Sequence, residues 1–380
     1  MQTDGLCMKT HATPHSAILV PSSRREASTK QARDARDRLR RTPDDTDALF
    51  QLAEAYARME RHQEAQDAHR ALLRADGRFA DLHAEATEPG AAGFIGGFDQ
   101  VDCPVCDEPD CSVVWVGNIS QQVRTWGHLD PVRQWVKCDG CETLRVHAPP
   151  SDAALARWNT HRTAELAAQK APDLHTFSHD LGRWQPELDA FEHAGFGMAW
   201  LDQLGAPVPR LLEVGSGWGS FLAAAEWRGF QATGVTTAHQ AAWAAATLTM
   251  PCVVADTEGG LLPEHLPDGV FDLIVLRHSI DRAPDPVAVL ETAARRLAPD
   301  GLLVLQVALN DHPVHRLQGY DDPRWSTPDR RVFFTRDTLE VALARAGLSS
   351  EQVRHAEDAA PGTTLVFVRH DNMREVVGAE

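Results

Sequence analysis

Two sets of residues in this 380-residue chain combine the types and spacings that chemistry needs. The first is Cys103-Pro104-Val105-Cys106 together with Cys138-Asp139-Gly140-Cys141. A two-residue gap lets a pair of thiolates grip one tetrahedral ion while the amides of the turn face the sulfurs, and two such pairs make a closed four-cysteine site for structural Zn2+. The alternative is four reduced, unligated thiols, with the additional Cys111 a bystander. A closed site leaves no coordination position open, so catalytic zinc is not expected. The second set is Leu211-Leu212-Glu213-Val214-Gly215-Ser216-Gly217-Trp218-Gly219-Ser220-Phe221. Glycines at alternate positions let the main chain turn sharply and let a ligand lie against bare backbone, which makes a cofactor loop the natural reading. Further on, His278 follows the apolar run Phe271 to Leu276. An imidazole there can take a proton near neutral pH, which nominates His278 as a general base; the alternative is a histidine that lines the cofactor pocket.

The elements that position these residues follow from periodicity. Residues 209–370 alternate strand-like and helix-like stretches, the pattern of an open, mostly parallel α/β sheet covered on both faces. Seven strands are expected, at Arg210–Val214, Gln231–Val235, Cys252–Ala255, Phe271–Leu276, Gly301–Val307, Glu351–His355 and Thr363–Val368. Helices are expected at Gly219–Trp227, Ala241–Thr247, Asp285–Leu297 and Thr335–Ala346. In this arrangement His278 leaves the carboxyl edge of the fourth strand, where open α/β sheets bind ligands. The stretch Asn310 to Arg330, with His312, His315, Tyr320, Trp325 and three prolines, has the length of a lid or substrate wall, a solvated loop being the alternative.

The order of the blocks resembles class I S-adenosylmethionine-dependent methyltransferases. The glycine loop matches their first motif. Gly234-Val235-Thr236-Thr237-Ala238-His239-Gln240 follows the second strand, Ala255-Asp256-Thr257 the third, and Arg277-His278-Ser279-Ile280-Asp281-Arg282 the fourth. Pro299-Asp300-Gly301 opens the fifth strand, and Arg331 to Leu339 leads into the following helix. The resemblance spans about residues 185–370 and implies a seven-stranded Rossmann-like methyltransferase sheet with S-adenosylmethionine as cofactor. It implies that Gly215, Gly217 and Gly219 shape the pocket for the methionine part, that Glu213 lies near its ammonium, and that Asp256 accepts from the adenine amino group. The full expected cofactor set is Glu213, Gly215, Ser216, Gly217, Trp218, Gly219, Thr236, Thr237, Gln240, Asp256, Thr257 and Arg277. The acidic residue that holds the ribose in the family is replaced by Thr236 and Thr237. A similar Gly-x-Thr-x-x-x-Gln, here Gly234, Thr236 and Gln240, occurs in cyclopropane fatty acid synthases. Their Phe-Glu-His segment is Ser279-Ile280-Asp281-Arg282 here, which speaks against their carbocation chemistry.

Ahead of this domain the chain reads as a leader (1–23), a helical region (24–88), a zinc ribbon (94–150) and a helical linker or cap (151–208), with a tail at 371–380. His175 to Trp184 is either cover for the cofactor or plain linker. Residues 46–79 resemble one tetratricopeptide repeat, with Leu52, Ala53, Ala55 and Tyr56 on its first helix and Ala65 at the helix crossing. One such unit does not bury its apolar face alone, so it is expected to pack on the rest of the chain, or on a second copy or a protein partner through residues 24–88.

Lys plus Arg total 37 against 54 Asp plus Glu, a formal charge of −17, which repels a phosphate backbone and makes nucleic acid an improbable partner. No apolar run approaches the roughly 18 residues of a membrane span, no export signal is read, and a cytoplasmic, reducing setting is expected. The expected function is methyl transfer by in-line displacement to a small-molecule acceptor, a sugar or specialised metabolite being favoured. Two alternatives are a silent cofactor-binding scaffold acting through the helical repeat and ribbon, and a methyltransferase acting on a peptide or carrier-bound substrate.

Overall fold

The computed structural model of the chain describes residues 22–77, 102–118, 132–147, 164–165, 168–193, 208–255, 260–327, 329–355 and 362–371. Three helices come first: α1 (Ser22–Leu39), α2 (Thr46–Arg58) and α3 (His62–Ala75). Asp45 caps α2 by accepting from the Ala48 amide at 2.9 Å, and Arg38 from the end of α1 grips the same carboxylate at 2.8 Å. That residue therefore starts one helix and fixes the angle at which the previous one arrives.

The small sheet contains β1 (Cys111–Asn118), β2 (Val132–Cys138) and β3 (Leu144–Val146). Its fourth strand, β9 (Val332–Phe333), comes from the far end of the chain and pairs antiparallel with β3, Leu144 opposite Phe333 and Arg145 opposite Val332. Trp115, Trp135, Trp325 and Phe333 form the centre of this face and pack in one apolar cluster with Ala35, Ala53, Tyr56 and Ala65 of the three helices. The apolar face of the helical region is thus covered by its own chain.

Two linker helices, α4 (Leu174–Arg183) and α5 (Gln185–His193), precede the large sheet. That sheet holds β4 (Arg210–Val214), β5 (Gln231–Thr236), β6 (Cys252–Val254), β7 (Phe271–Arg277), β8 (Leu297–Val307), β10 (Leu348–His355) and β11 (Thr364–His370), in the order β10-β11-β8-β7-β4-β5-β6. The pairs among β4 to β8 are parallel, and β11 is antiparallel to both β8 and β10. Between them run α6 (Ser220–Trp227), α7 (Ala238–Leu248), α8 (Pro286–Arg296), α9 (Pro313–Gln318) and α10 (Arg336–Arg345). All seven expected strands are present, and the main differences lie at β8 and β10, which begin at Leu297 and Leu348.

Leu273, Ile274, Val275 and Leu276 are fully buried because parallel strands are covered on both faces. Leu212, Val214, Ile274 and Leu276 face one layer, and Leu211, Leu273 and Val275 face the other, with Leu188 and Phe191 of α5 and Phe221 of α6. The chain leaves β4 for β5 on one side and returns to β7 on the other, so the crevice at the carboxyl ends of β4 and β7 is the topological switch point where such sheets receive ligands. Among the described residues no helix is long and apolar enough to cross a membrane.

Candidate active site and candidate metal centre

The glycine loop occupies that switch point. Gly215, Gly217 and Gly219 have φ of 84°, 54° and 82°, a left-handed conformation that side-chain-bearing residues disfavour. Gly215 and Ser216 donate their amides to the Val235 carbonyl at 3.0 and 3.2 Å, which latches the loop to the end of β5. A Cβ built on Gly217 meets nothing within 4 Å, so the loop opens there onto free space. A Cβ on Gly234 would stand 2.5 Å from Ser216 Oγ and 2.7 Å from Leu222, so β5 needs a glycine where the loop crosses it.

The two threonines after β5 turn to Gln240, whose Oε1 accepts from Thr236 Oγ1 at 2.7 Å and Thr237 Oγ1 at 3.0 Å. With its oxygen so engaged, the Gln240 amide presents its NH2 as the remaining donor of this corner. Trp218 meets the rings of His239 and Trp243 edge-on, and Phe177 of α4 packs on Trp243 at 5.6 Å, so α4 closes an aromatic wall over the loop. Asp256 and Thr257 lie outside the described residues.

Beneath the loop lies a buried ionic network. Arg277 Nε bonds Glu213 Oε1, its Nη1 reaches Gln306 Oε1 at 2.8 Å and Glu187 Oε2 at 3.1 Å, and its Nη2 lies 3.0 Å from Glu187 Oε1. The rings of Trp184 and Phe221 lie 4.4 and 4.3 Å from the guanidinium carbon. Burial works against the Arg277 charge, and the two glutamates together overcome it and raise its pKa. Burial raises the Glu213 carboxyl, with Arg277 opposing. Glu213 Oε2 is buried and has no hydrogen-bond partner among the described residues. Two carboxylates over one guanidinium leave this pocket one negative charge in excess. Neither Glu187 nor Gln306 was among the sequence candidates, since nothing local marks either residue until Arg277 is placed beside it.

With this geometry in view, the family profile described as Methyltransferase domain matches residues 159–353, or 195 of the 380 residues. The chain belongs to that methyltransferase-domain family. A malonyl-[acyl-carrier protein] O-methyltransferase of Geobacter sulfurreducens is 32% identical over 164 residues, 39% of this chain, and the chain spans 59% of that relative's length. Among solved structures, the mitomycin 7-O-methyltransferase MmcR aligns over 80% of this chain and 72% of its own at 16% identity and a TM-score of 0.39. An S-adenosylmethionine-dependent methyltransferase from Mesorhizobium loti aligns over 43% of this chain and 91% of its own at 20% identity and a TM-score of 0.35.

In this methyltransferase domain His278 stands at the carboxyl end of β7 with φ of 45°, held by a 2.8 Å bond from its amide to the Gln306 carbonyl. A non-glycine residue in that region is strained, and such strain gathers at functional sites. Burial lowers its pKa to about 4; Asp281 opposes, and Arg330, Arg282 and Arg277 push it lower. The following turn is clamped from outside. Asp281 pairs with Arg330 and accepts through its carbonyl from the amides of Arg331 and Val332, both at 3.0 Å, while Arg282 meets Asp329 at 2.6 Å.

In the stretch 310–330, expected as a lid, a substrate wall or a solvated loop, several of the polar and aromatic groups are tied to the rest of the chain, while Leu317 stays exposed. His315 bonds Asp322 and the Gly362 carbonyl, each at 2.9 Å, and Arg324 bonds Asp322 and the Ala308 carbonyl, each at 2.8 Å. The Trp325 ring stands 4.5 Å from that of Phe333, and its carbonyl accepts from Trp135 Nε1 at 3.2 Å. These aromatic and histidine groups join the small sheet to the large one, because their own polar atoms find partners inside the chain.

The four cysteines come together as their spacing requires. Cys103, Cys106, Cys138 and Cys141 place their sulfurs within 4.8 Å of one another, with Cys103 to Cys141 at 3.7 Å and Cys106 to Cys138 at 3.5 Å. Four thiolates around one zinc at 2.3 Å have tetrahedral edges of about 3.8 Å, so the set has the right size for that ion. Both turns repeat one pattern: Asp107 donates to the Cys103 carbonyl and Glu142 to that of Cys138, and Asp107 and Glu142 have φ of 63° and 64°. Cys111 stands apart, with its sulfur 4.0 Å from His147 Nδ1.

Proposed function

We propose that this chain transfers the methyl group of S-adenosylmethionine to a small organic acceptor, a sugar or specialised metabolite being favoured. The observation that carries the reading is the pairing of the open glycine loop with a buried, unpartnered carboxylate oxygen on Glu213. A donor with an ammonium and a sulfonium fits a crevice that has bare backbone on one side and an excess negative charge on the other. Gly215, Ser216, Gly217 and Gly219 would hold its methionine part, Glu213 its ammonium, with Arg277 as the charge that fixes Glu213 in place. Trp218 would wall the site, Thr236, Thr237 and Gln240 would meet the ribose, and Asp256 and Thr257 the adenine. The cofactor supplies a methyl already activated by sulfonium, so the chain's own contribution is alignment and the exclusion of water. His278, kept neutral, accepts a hydrogen bond or a proton from the acceptor beside the carboxyl edge of β7.

Calorimetric titration of the whole protein with S-adenosylhomocysteine tests this, with Gly217→Asp as control. Micromolar binding lost in the variant is the expected result, and no binding by the wild type would move the reading to a scaffold.

The four-cysteine cluster fits a structural Zn2+, and residues 94–150 then form a zinc ribbon, 24–88 a tetratricopeptide-like region, 151–208 a cap, and 209–370 the catalytic domain. A cytoplasmic setting that keeps the thiols reduced belongs to the same reading. A homodimer or partner contact through residues 24–88 has the exposed Lys30 and Arg33 of α1, and Arg41 in the turn after it, available. A second reading, a carrier-bound acceptor, is favoured by the likeness to the malonyl-[acyl-carrier protein] enzyme. Labelled methyl transfer to carrier-bound and to free acids separates the two.

A further inference from the structure

Arg145 lies at the centre of β3 at 2% exposure. Its three guanidinium nitrogens are buried, and none has a hydrogen-bond partner among the described residues. Its cross-strand neighbours are Val136 on β2 and Val332 on β9, so neither flank offers a carboxylate. Three other buried arginines are paired with carboxylates: Arg277 with Glu213 and Glu187, Arg324 with Asp322, Arg330 with Asp281. A guanidinium does not escape burial by losing its proton, and an uncompensated buried charge is strongly destabilising.

We infer that this face of the small sheet is a binding site for an oxyanion, a carboxylate or phosphate group gripped by the Arg145 fork with His147 and Cys111 beside it. Five N–H donors in one plane match the two oxygens of either group, which a point charge does not. Arg145 is close enough to both neighbours to act on them, since its charge helps lower the His147 pKa after burial and restrains the burial-driven rise of the Cys111 thiol. Asp110 and Asp139 also act on Cys111, yet neither forms an ion pair with Arg145. Arg145 is not one of the residues of the glycine loop, and the existence of this site does not depend on the methyl-transfer reading.

The test uses the whole zinc-replete protein and two probes, inorganic phosphate and malonate, each titrated against chloride at equal ionic strength while the melting temperature is followed. The expected result is a saturable rise of a few degrees with one or both probes, abolished in Arg145→Met. In Arg145→Lys the half-saturating concentration should rise about tenfold, because the ammonium keeps the charge and loses the fork. A larger response to phosphate than to malonate, or the reverse, identifies the group. A wild-type response equal to chloride overturns the inference, as does an undiminished response in Arg145→Met. Should that variant fail to fold, Arg145→Lys and His147→Ala decide: unchanged half-saturation in both overturns the inference, and a rise in both supports it.

Discussion

The Arg277 network makes an asymmetric prediction. Removing the arginine in Arg277→Met leaves Glu213 and Glu187 buried without compensation, since their side chains are 2% and 7% exposed. Breaking a buried pair in this way costs about 3–5 kcal/mol, a fall in melting temperature of roughly 6–20 °C for a domain of this size. Glu187→Gln is expected to cost much less, about 1 kcal/mol, because an amide oxygen still accepts from Arg277 and the remaining pair, Glu213 with Arg277, is neutral. Glu213→Gln tests the donor site itself. A charge-assisted bond from a ligand ammonium is worth about 1.5–3 kcal/mol, so affinity for S-adenosylhomocysteine should fall roughly 10- to 150-fold. The pH dependence has a definite sign. Burial raises the Glu213 pKa above 4.5, so wild-type affinity should weaken as acidification protonates this carboxyl, and the glutamine variant should lack that component. Melting curves and calorimetric titrations of the three variants are the assay. Equal melting temperatures for Arg277→Met and Glu187→Gln would refute the charge count, and unchanged affinity in Glu213→Gln would refute its link to the donor.

Three other outcomes are expected. Metal analysis of protein purified without chelator should find one zinc per chain, and Cys138→Ser, at a fully buried position, should lose it along with thermal stability. His278→Asn should flatten the acid side of the stability profile. The wild-type pKa is about 4 against 6.5 when unfolded, so between these values the unfolded chain takes up a proton the native one does not, and stability falls by up to about 3 kcal/mol as pH drops through that window. Asparagine tolerates positive φ, so melting curves of this variant across pH 4 to 7 read the titration apart from strain. A fragment of residues 209–370 should be aggregation-prone, because it uncovers Trp325 and Phe333, together roughly 300–500 Å² of aromatic surface worth at most about 8–12 kcal/mol, comparable to a whole domain's stability. A monomeric fragment with a cooperative melt near that of the full chain would refute that estimate.

What the sequence made legible was whatever is encoded within about ten residues. Runs such as Leu273-Ile274-Val275-Leu276 announce a parallel strand by being apolar on both alternations, and Gly215, Gly217 and Gly219 announce a loop by freeing φ. The cysteine pairs announce one another because tetrahedral geometry admits few spacings. What was not legible depended on partners far along the chain. Val332-Phe333 is too short to be read as a strand by periodicity, and it is one because Leu144 and Arg145, nearly two hundred residues earlier, supply its ladder. Trp325 and His315 looked like substrate-facing groups by type; only their environment, Trp135 and Phe333 for one and Asp322 and Gly362 for the other, shows that they bind the chain to itself. Glu187 is one acidic residue among many until Arg277 is placed beside it.

The same long-range pairing ties the cysteine cluster to the turn that follows β7. The amide of Val332 donates to the Asp281 carbonyl, three residues beyond His278, while the Val332 backbone pairs with Arg145 of β3. Cys138 ends the strand next to β3, and Arg345 of α10 bonds the Val105 carbonyl at 2.6 Å within the other cysteine turn. A force that loosens the cysteine turns therefore passes to β3, then to β9, and then to the turn that holds His278 in its left-handed conformation. That route crosses backbone hydrogen bonds and buried ion pairs rather than flexible loops, and packed elements of this kind transmit displacement instead of absorbing it. The cysteine cluster, although remote from the glycine loop in sequence, is thereby a structural support of the turn that carries His278, whereas the glycine loop is backed by α4, α5 and Arg277.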